Sequence, residues 1–272
     1  MKSSKTTRIL IEGAMMTALA TVLSIFKLID MPYGGSVTLA SMLPIAIFAY
    51  RHGIGWGLAG GLSHAVLQQL LGLNTLSYVT GWQSIIAVIL LDYIIAFTVV
   101  GLAGIFRSTV ERQSTSLLLG VILVSVLRYA CHVISGATVW AGLSIPDSAA
   151  LIYSFGYNAT YMIPETIITA AVAAYLGNII DFKRQIPTPS LSAKEGKRGE
   201  ALYLVSGAVF ILGCIIDVWL IAPHLQDEET GKFVIQGLGS ADWTSISVVT
   251  ALTVLIGIVL LIKAKTVGKT EE

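Results

Sequence analysis

Eight stretches of this chain are apolar enough to lie in a bilayer, and that feature constrains the fold more than any other. A hydrocarbon core of about 30 Å takes roughly 20 residues of helix to cross. The runs fall at about 9–28, 36–50, 54–72, 83–106, 116–138, 155–180, 201–223 and 243–263, so the chain reads as an all-α integral membrane protein. The second run is short and contains Pro44, which predicts a segment that is tilted, broken or paired tightly to a neighbour.

Composition agrees. Of 272 residues, 55% are hydrophobic and only 12% are charged, and a mean hydropathy of +0.80 lies outside the range of ordinary soluble domains. A net charge of +1 gives no bulk attraction to nucleic acid. Cys131 and Cys214 both sit inside apolar runs, which suggests neither a disulfide framework nor a metal cluster. The basic start, Met1 to Arg8, leads into a run with no small-residue cleavage site after it, so it reads as the first membrane helix and not as a removed signal peptide.

From Asp181 to Glu200 the sequence turns to a Pro/Ser/Lys stretch without apolar period, which reads as a linker. It divides a six-helix unit, residues 1–182, from a two-helix appendage, residues 201–272, with 183–200 between them. No internal repeat is visible, and no glycine loop with its lysine is present to cradle phosphates, so ATP binding of that kind is not expected.

Orientation follows from where the basic residues fall. With the N-terminus cytoplasmic, only Lys27 and Lys232 lie outside and Arg128 lies within the membrane, which leaves the other fourteen of seventeen Lys and Arg inside. The expected arrangement is multi-pass with both termini cytoplasmic, and with outer loops at 28–36, 73–82, 139–154 and 224–242.

Against this background residues 128 to 165 stand out, because a stretch of membrane depth carries Arg128, His132, Trp140, Asp147, Tyr153, Tyr157, Asn158, Tyr161 and Glu165. Polar groups at that depth are costly unless they face a bundle interior or a wet cavity, so they mark a ligand site. Arg128, His132, Gly136 and Trp140 recur every fourth position and share one helical stripe. Asn158, Tyr161 and Glu165 recur at i, i+3 and i+7, again one face. Pro164 predicts a kink near Tyr161 to Glu165. In the fourth run Asp92 lies about nine residues from the outer end, or roughly 13 Å deep, beside Tyr93. It needs either Arg128 or a cationic ligand as partner, and Glu165 is available to neutralise Arg128.

Two other features have plainer readings. Ala14 and Ala18 form a small-xxx-small face, most simply for packing within the bundle. Ser63 and His64 lack the Gly-x-Ser-Gly context of an intramembrane serine protease, so His64 reads as a hydrogen-bonded interior histidine. Together, aromatic rings, a carboxylate, an amide and an imidazole in an outward-facing pocket suit a flat heterocycle carrying positive charge.

The segments LLDYIIAF at 90–97, GLAGIF at 101–106, RYACHVISGATVW at 128–140 and YSFGYNATYMIPE at 153–165 resemble the thiamine-specific substrate-binding (S) components of energy-coupling factor (ECF) transporters. The likeness covers about the first 185 residues and implies a six-helix S-component bundle with an outward-facing vitamin pocket, here with two additional C-terminal helices. By that resemblance Trp140 and His132 flank the thiazolium ring and Gly136 gives it room, while Asp92, Tyr93, Tyr153 and Asn158 hold the aminopyrimidine and neighbouring atoms. Arg128 and Glu165 form a structural intramembrane pair. Ala14 and Ala18 match an alanine pair that meets the transmembrane coupling subunit, which works with two ATPase subunits in the cell membrane. The resemblance implies no enzymatic activity, no cofactor and no metal. The family pattern has glutamate where this chain has Asp92, one methylene shorter, so a water bridge or an altered ligand is implied. The alternatives are an S component for a related heterocycle, such as a hydroxymethylpyrimidine or another vitamin, and an intramembrane enzyme using Asp92, His132 or Glu165 as acid and base.

Overall fold

Backbone in lipid must satisfy its own hydrogen bonds, and apolar runs of this length do so as helices. The computed structural model describes residues 5–31, 34–79, 81–138, 148–190, 197–225 and 235–270. Helix α1 spans Lys5–Ile25 and leads into an antiparallel hairpin of β1, Lys27–Asp30, and β2, Ser36–Thr38. Then come α2, Leu43–His52, and α3, Ile54–Leu71. A long rod α4, Trp82–Ser108, follows, then α5, Gln113–Thr138, and α6, Ser148–Ile179. A short pairing of β3, Ile180–Asp181, with β4, Thr188–Pro189, closes this unit. The last two helices are α7, Lys197–Ile221, and α8, Trp243–Thr270.

Each apolar run thus has its helix, but they do not all cross a membrane in the same sense. Among the described residues five helices are long and apolar enough to do so: α1, α4, α5, α6 and α8. The second run corrects the expectation of a span at 36–50. Its first residues pair as a strand, and the helix has ten residues, about 15 Å at 1.5 Å each. Every residue from Leu43 to Tyr50 is buried, because α2 is surrounded by α1, α3, α4, α5 and α6. It is a core helix enclosed by protein, with Pro44 in its first turn, where a missing N–H costs nothing.

Glycine sets how closely the elements approach. Gly53, at φ +91°, makes the sharp turn between α2 and α3. On α3 a Cβ at Gly61 would lie 2.7 Å from the carbonyl oxygen of Thr98, and Gly57 meets the backbone of Gly101 directly, so α3 and α4 pack backbone to backbone.

Helix α4 is not uniform. It winds as a regular helix over Trp82–Val88, widens to π geometry over Ile89–Ile95, and tightens to a 3-10 winding over Val99–Ser108. Pro164 lies inside α6, which continues through it. The appended helices α7 and α8 pack on each other, and α7 also packs on α6. Thr250 donates to the Asp217 carboxylate at 2.8 Å and Ser206 to the carbonyl of Gly257 at 3.0 Å.

Candidate ligand-binding cavity

The hairpin, α1, α3, α4, α5 and α6 enclose a cavity of about 550 Å³, within the usual range for small-molecule sites. The chain reaches it from alternating directions. α1 and α3 arrive at Lys27 and Gly72 from the opposite pole, and α4 and α6 leave it toward Arg107 and Asp181.

The widened turn of α4 presents Asp92 and Tyr93, and both line the cavity. Such π segments recur at functional sites because they re-aim side chains that a regular helix would send elsewhere. Asp92 bonds α5 through both carboxylate oxygens. One carboxylate oxygen lies 2.8 Å from His132 Nδ1, and the other accepts from the Ser135 hydroxyl at 2.6 Å. A bond to a carboxylate requires the proton on Nδ1, which fixes the imidazole tautomer. Tyr93 donates to the Gly72 carbonyl at 3.2 Å and stacks on Phe97.

From α6 come Tyr153, Tyr157 and Tyr161. The first two rings are parallel with centroids 6.3 Å apart, and Tyr161 stands edge-on to both Tyr157 and His132. The Tyr157 hydroxyl donates to the Gly34 carbonyl at 2.6 Å, and Gly35, at φ +85°, lies directly against the Tyr161 ring. The hairpin turn is thereby seated on the tyrosine ladder. The Asn158 amide donates to the Ser154 carbonyl and hydroxyl and accepts from the Tyr161 hydroxyl at 2.5 Å. It holds that ladder in place as well as lining the cavity.

Deeper, Glu165 is 3% exposed and Arg128 is 6% exposed. Glu165 accepts from the Thr38 backbone N–H at 2.5 Å and from its hydroxyl at 2.6 Å. The Arg128 guanidinium lies 4.5 Å from the Phe97 ring centroid and contacts Met42 Sδ. The two charges act on one another through space, but among the described residues they make no ion-pair contact. Arg128 and Glu165, expected as a structural intramembrane pair, thus oppose each other at a distance, and Thr38 on the hairpin binds the carboxylate.

Six of the seven residues expected to bind ligand, Asp92, Tyr93, His132, Gly136, Tyr153 and Asn158, line this one cavity, as do Arg128 and Glu165. Trp140 lies outside the described residues. Gly136 does more than leave room: a Cβ there would collide with Ser154, so it also permits α5 and α6 to close on each other. Sequence reasoning missed Thr38, Ser41, Ser135 and Ser154. Ser135 was within reach, since it follows His132 by three residues and so shares its helical face; hydroxyls otherwise leave no mark in an apolar run. His64 is fully buried and bonds Thr21 Oγ1 at 3.2 Å, an interior histidine as expected. Ala14 and Ala18 are exposed on the outer side of α1, whereas Gly13 and Ala20 face inward. The alanine pair therefore does not serve packing within the bundle.

Comparison with known proteins places the chain in a family. A profile of the thiamine transporter protein (Thia_YuaJ) family matches residues 10–182. The thiamine transporter ThiT of Bacillus subtilis (strain 168) is 38% identical over 187 residues, which cover 65% of this chain and 93% of that protein. ThiT of Lacticaseibacillus paracasei is 26% identical over 195 residues, covering 65% and 90%. The solved structure of ThiT from Listeria monocytogenes superposes with a TM-score of 0.51 at 23% identity, covering 64% of this chain and 95% of that one, a likeness of fold. The family match ends at residue 182, before the two appended helices. On the extent of the family match and the identity to the Bacillus protein, this membrane protein belongs to the thiamine transporter family.

Proposed function

We propose that the chain binds thiamine in this cavity and serves as the substrate-binding component of an ECF-type importer. The observation that carries the reading is the cavity itself: an Asp92 carboxylate fixed by His132 and Ser135, set among Tyr93, Tyr153, Tyr157 and Tyr161. Thiamine offers a thiazolium cation and a flat aminopyrimidine. The cation is attracted to ring faces and to Asp92, and the amino group suits acceptors among the same residues. In the sequence Trp140 follows Gly136 at the same four-residue spacing and offers an indole for the thiazolium. Asn158 holds Tyr161 through its amide oxygen and lines the cavity beside it. Arg128 and Glu165 close the floor with compensating charge. The names and identities of the relatives support thiamine over other heterocycles.

The exposed face of α1 with Ala14 and Ala18 is the docking surface for the transmembrane coupling subunit, which links the chain to two ATPases. The cavity faces outward and the termini face the cytoplasm of the cell that imports the vitamin through its cell membrane. Transport leaves the ligand chemically unchanged.

Calorimetric titration of thiamine into detergent-purified protein, with tryptophan fluorescence in parallel, tests the reading. Submicromolar binding with a change in fluorescence is expected. No heat and unchanged fluorescence through micromolar thiamine would overturn it. One observation favours a second reading within the same class. Both oxygens of the short Asp92 side chain are already engaged, which suits a ligand smaller than thiamine, such as a hydroxymethylpyrimidine. Competition between thiamine and its separated halves decides between them.

A further inference from the structure

We infer that Ser135 is a positioning residue that sets specificity: by holding one oxygen of Asp92 it fixes the carboxylate as an acceptor for an exocyclic amino group, so that the site prefers an aminopyrimidine to its oxo counterpart. The inference rests on the thiamine reading above and assigns part of its selectivity to a residue behind the cavity wall.

Ser135 is fully buried and is not among the residues that line the cavity, so it acts on a ligand only through Asp92, which does line it. It follows His132 by three residues on α5, and that spacing puts both side chains on one helical face. From this face the imidazole Nδ1 lies 2.8 Å from one carboxylate oxygen, and the hydroxyl donates to the other at 2.6 Å. The neighbours Val133, Ile134 and Gly136 carry no side-chain donor, so none of them can replace the hydroxyl.

An aspartate does not fix the plane of its own carboxylate. The torsion that turns this plane joins a tetrahedral carbon to a planar one, and its distribution is broad. Donors on both oxygens, one helical turn apart, define the plane, whereas a donor on one oxygen alone does not. The plane decides selectivity because an ionised carboxylate only accepts hydrogen bonds. Held still, it receives an amino N–H along a set direction. A ring carbonyl in the same place opposes one acceptor to another, and a buried site built to bond an N–H rejects an analogue that lacks it. Without the Ser135 hydroxyl, one carboxylate oxygen loses a buried donor and the carboxylate turns toward others, so the preorganisation that favours the amino group is lost.

The test is calorimetric titration of the full-length protein and of Ser135→Ala with two probes: thiamine, and oxythiamine, which keeps the thiazolium and carries a ring carbonyl in place of the amino group. The natural protein should prefer thiamine. In Ser135→Ala the ratio of the two Kd values should fall about tenfold, the scale of one hydrogen bond to a charged group, with thiamine weakened and oxythiamine changed by less than about threefold. Ser135→Cys, which keeps the shape and offers only a weak donor, should be intermediate, and it carries the test should the alanine variant not fold. A ratio unchanged in the variant that folds overturns the inference. Equal weakening of both probes with a lowered midpoint of thermal unfolding also overturns it, since that is what a merely structural serine would give. Natural protein that binds thiamine and oxythiamine alike overturns this inference and leaves the thiamine reading intact. Natural protein that binds neither overturns both.

Discussion

Glu165 ties more of the cavity together than its position in the sequence suggests. Its carboxylate receives two donors from Thr38, residues 127 positions apart, and so locks the hairpin to α6 while balancing Arg128 from a distance. Removing it by Glu165→Ala leaves a buried N–H and hydroxyl unpaired and a guanidinium without counter-charge. The expected loss is about 3 kcal/mol of stability, read as a lower midpoint of thermal unfolding in detergent, with Glu165→Gln intermediate. An unchanged midpoint in the alanine variant would contradict the role. Much at this scale was legible in the sequence: charged and hydrogen-bonding residues in apolar runs marked Asp92, His132, Asn158 and Glu165, and the structure gathers them. Their partners were not legible. The sequence offers Asp92 as a counter-charge to Arg128 or to a cationic ligand, but its bonds to His132 and Ser135 depend on the rotation of two helices about their axes. Serine and threonine, nearly neutral in hydropathy, gave no warning that they hold the carboxylates.

At the scale of elements, apolar length located all eight helices but not their roles. Length alone could not distinguish α2, buried on every side, from a lipid-facing span, since both are uniformly apolar. The widened turn in α4 has no sequence signature at all. Helix α6 begins at Ser148, not at 155 as hydropathy suggested, and this brings Tyr153 onto the helix one turn before Tyr157, which is why their rings lie parallel. Close backbone packing of α3 on α4 gives a prediction of its own. A side chain at Gly61 would run into the carbonyls of Thr98 and Phe97, beside the segment that carries Asp92 and Tyr93. Gly61→Leu should cost about 1–3 kcal/mol as overpacking and weaken thiamine binding by displacing α4. A variant with the natural unfolding midpoint and the natural Kd would show that the contact can relax.

For the whole molecule, two poles and one appendage remain. Opposite the cavity, Arg51 pairs with Glu12 and donates to the carbonyls of Phe182, Arg184 and Gln185. Arg112 bonds Asn178 and Lys183 the carbonyl of Glu111 at the same end. Basic residues that the sequence scattered over several loops thus assemble into one face, the arrangement expected of a cytoplasmic side. The appended helices contact the six-helix unit through α6, none of the residues lining the cavity belongs to them, and the family match ends at residue 182. The same Arg51 bonds keep the start of the linker on the six-helix unit, with β4 paired to β3, so a chain ending after residue 190 retains these ties. We therefore expect residues 1–190 alone to insert, fold and bind thiamine with a Kd within about twofold of the full chain, since sites this separate contribute independently. Titration of both proteins in the same detergent is the measurement. A truncated chain that folds but binds tenfold or more weakly would mean that α7, by pressing on α6, helps hold Tyr153, Asn158 and Glu165 in register, and that the eight helices act as one unit.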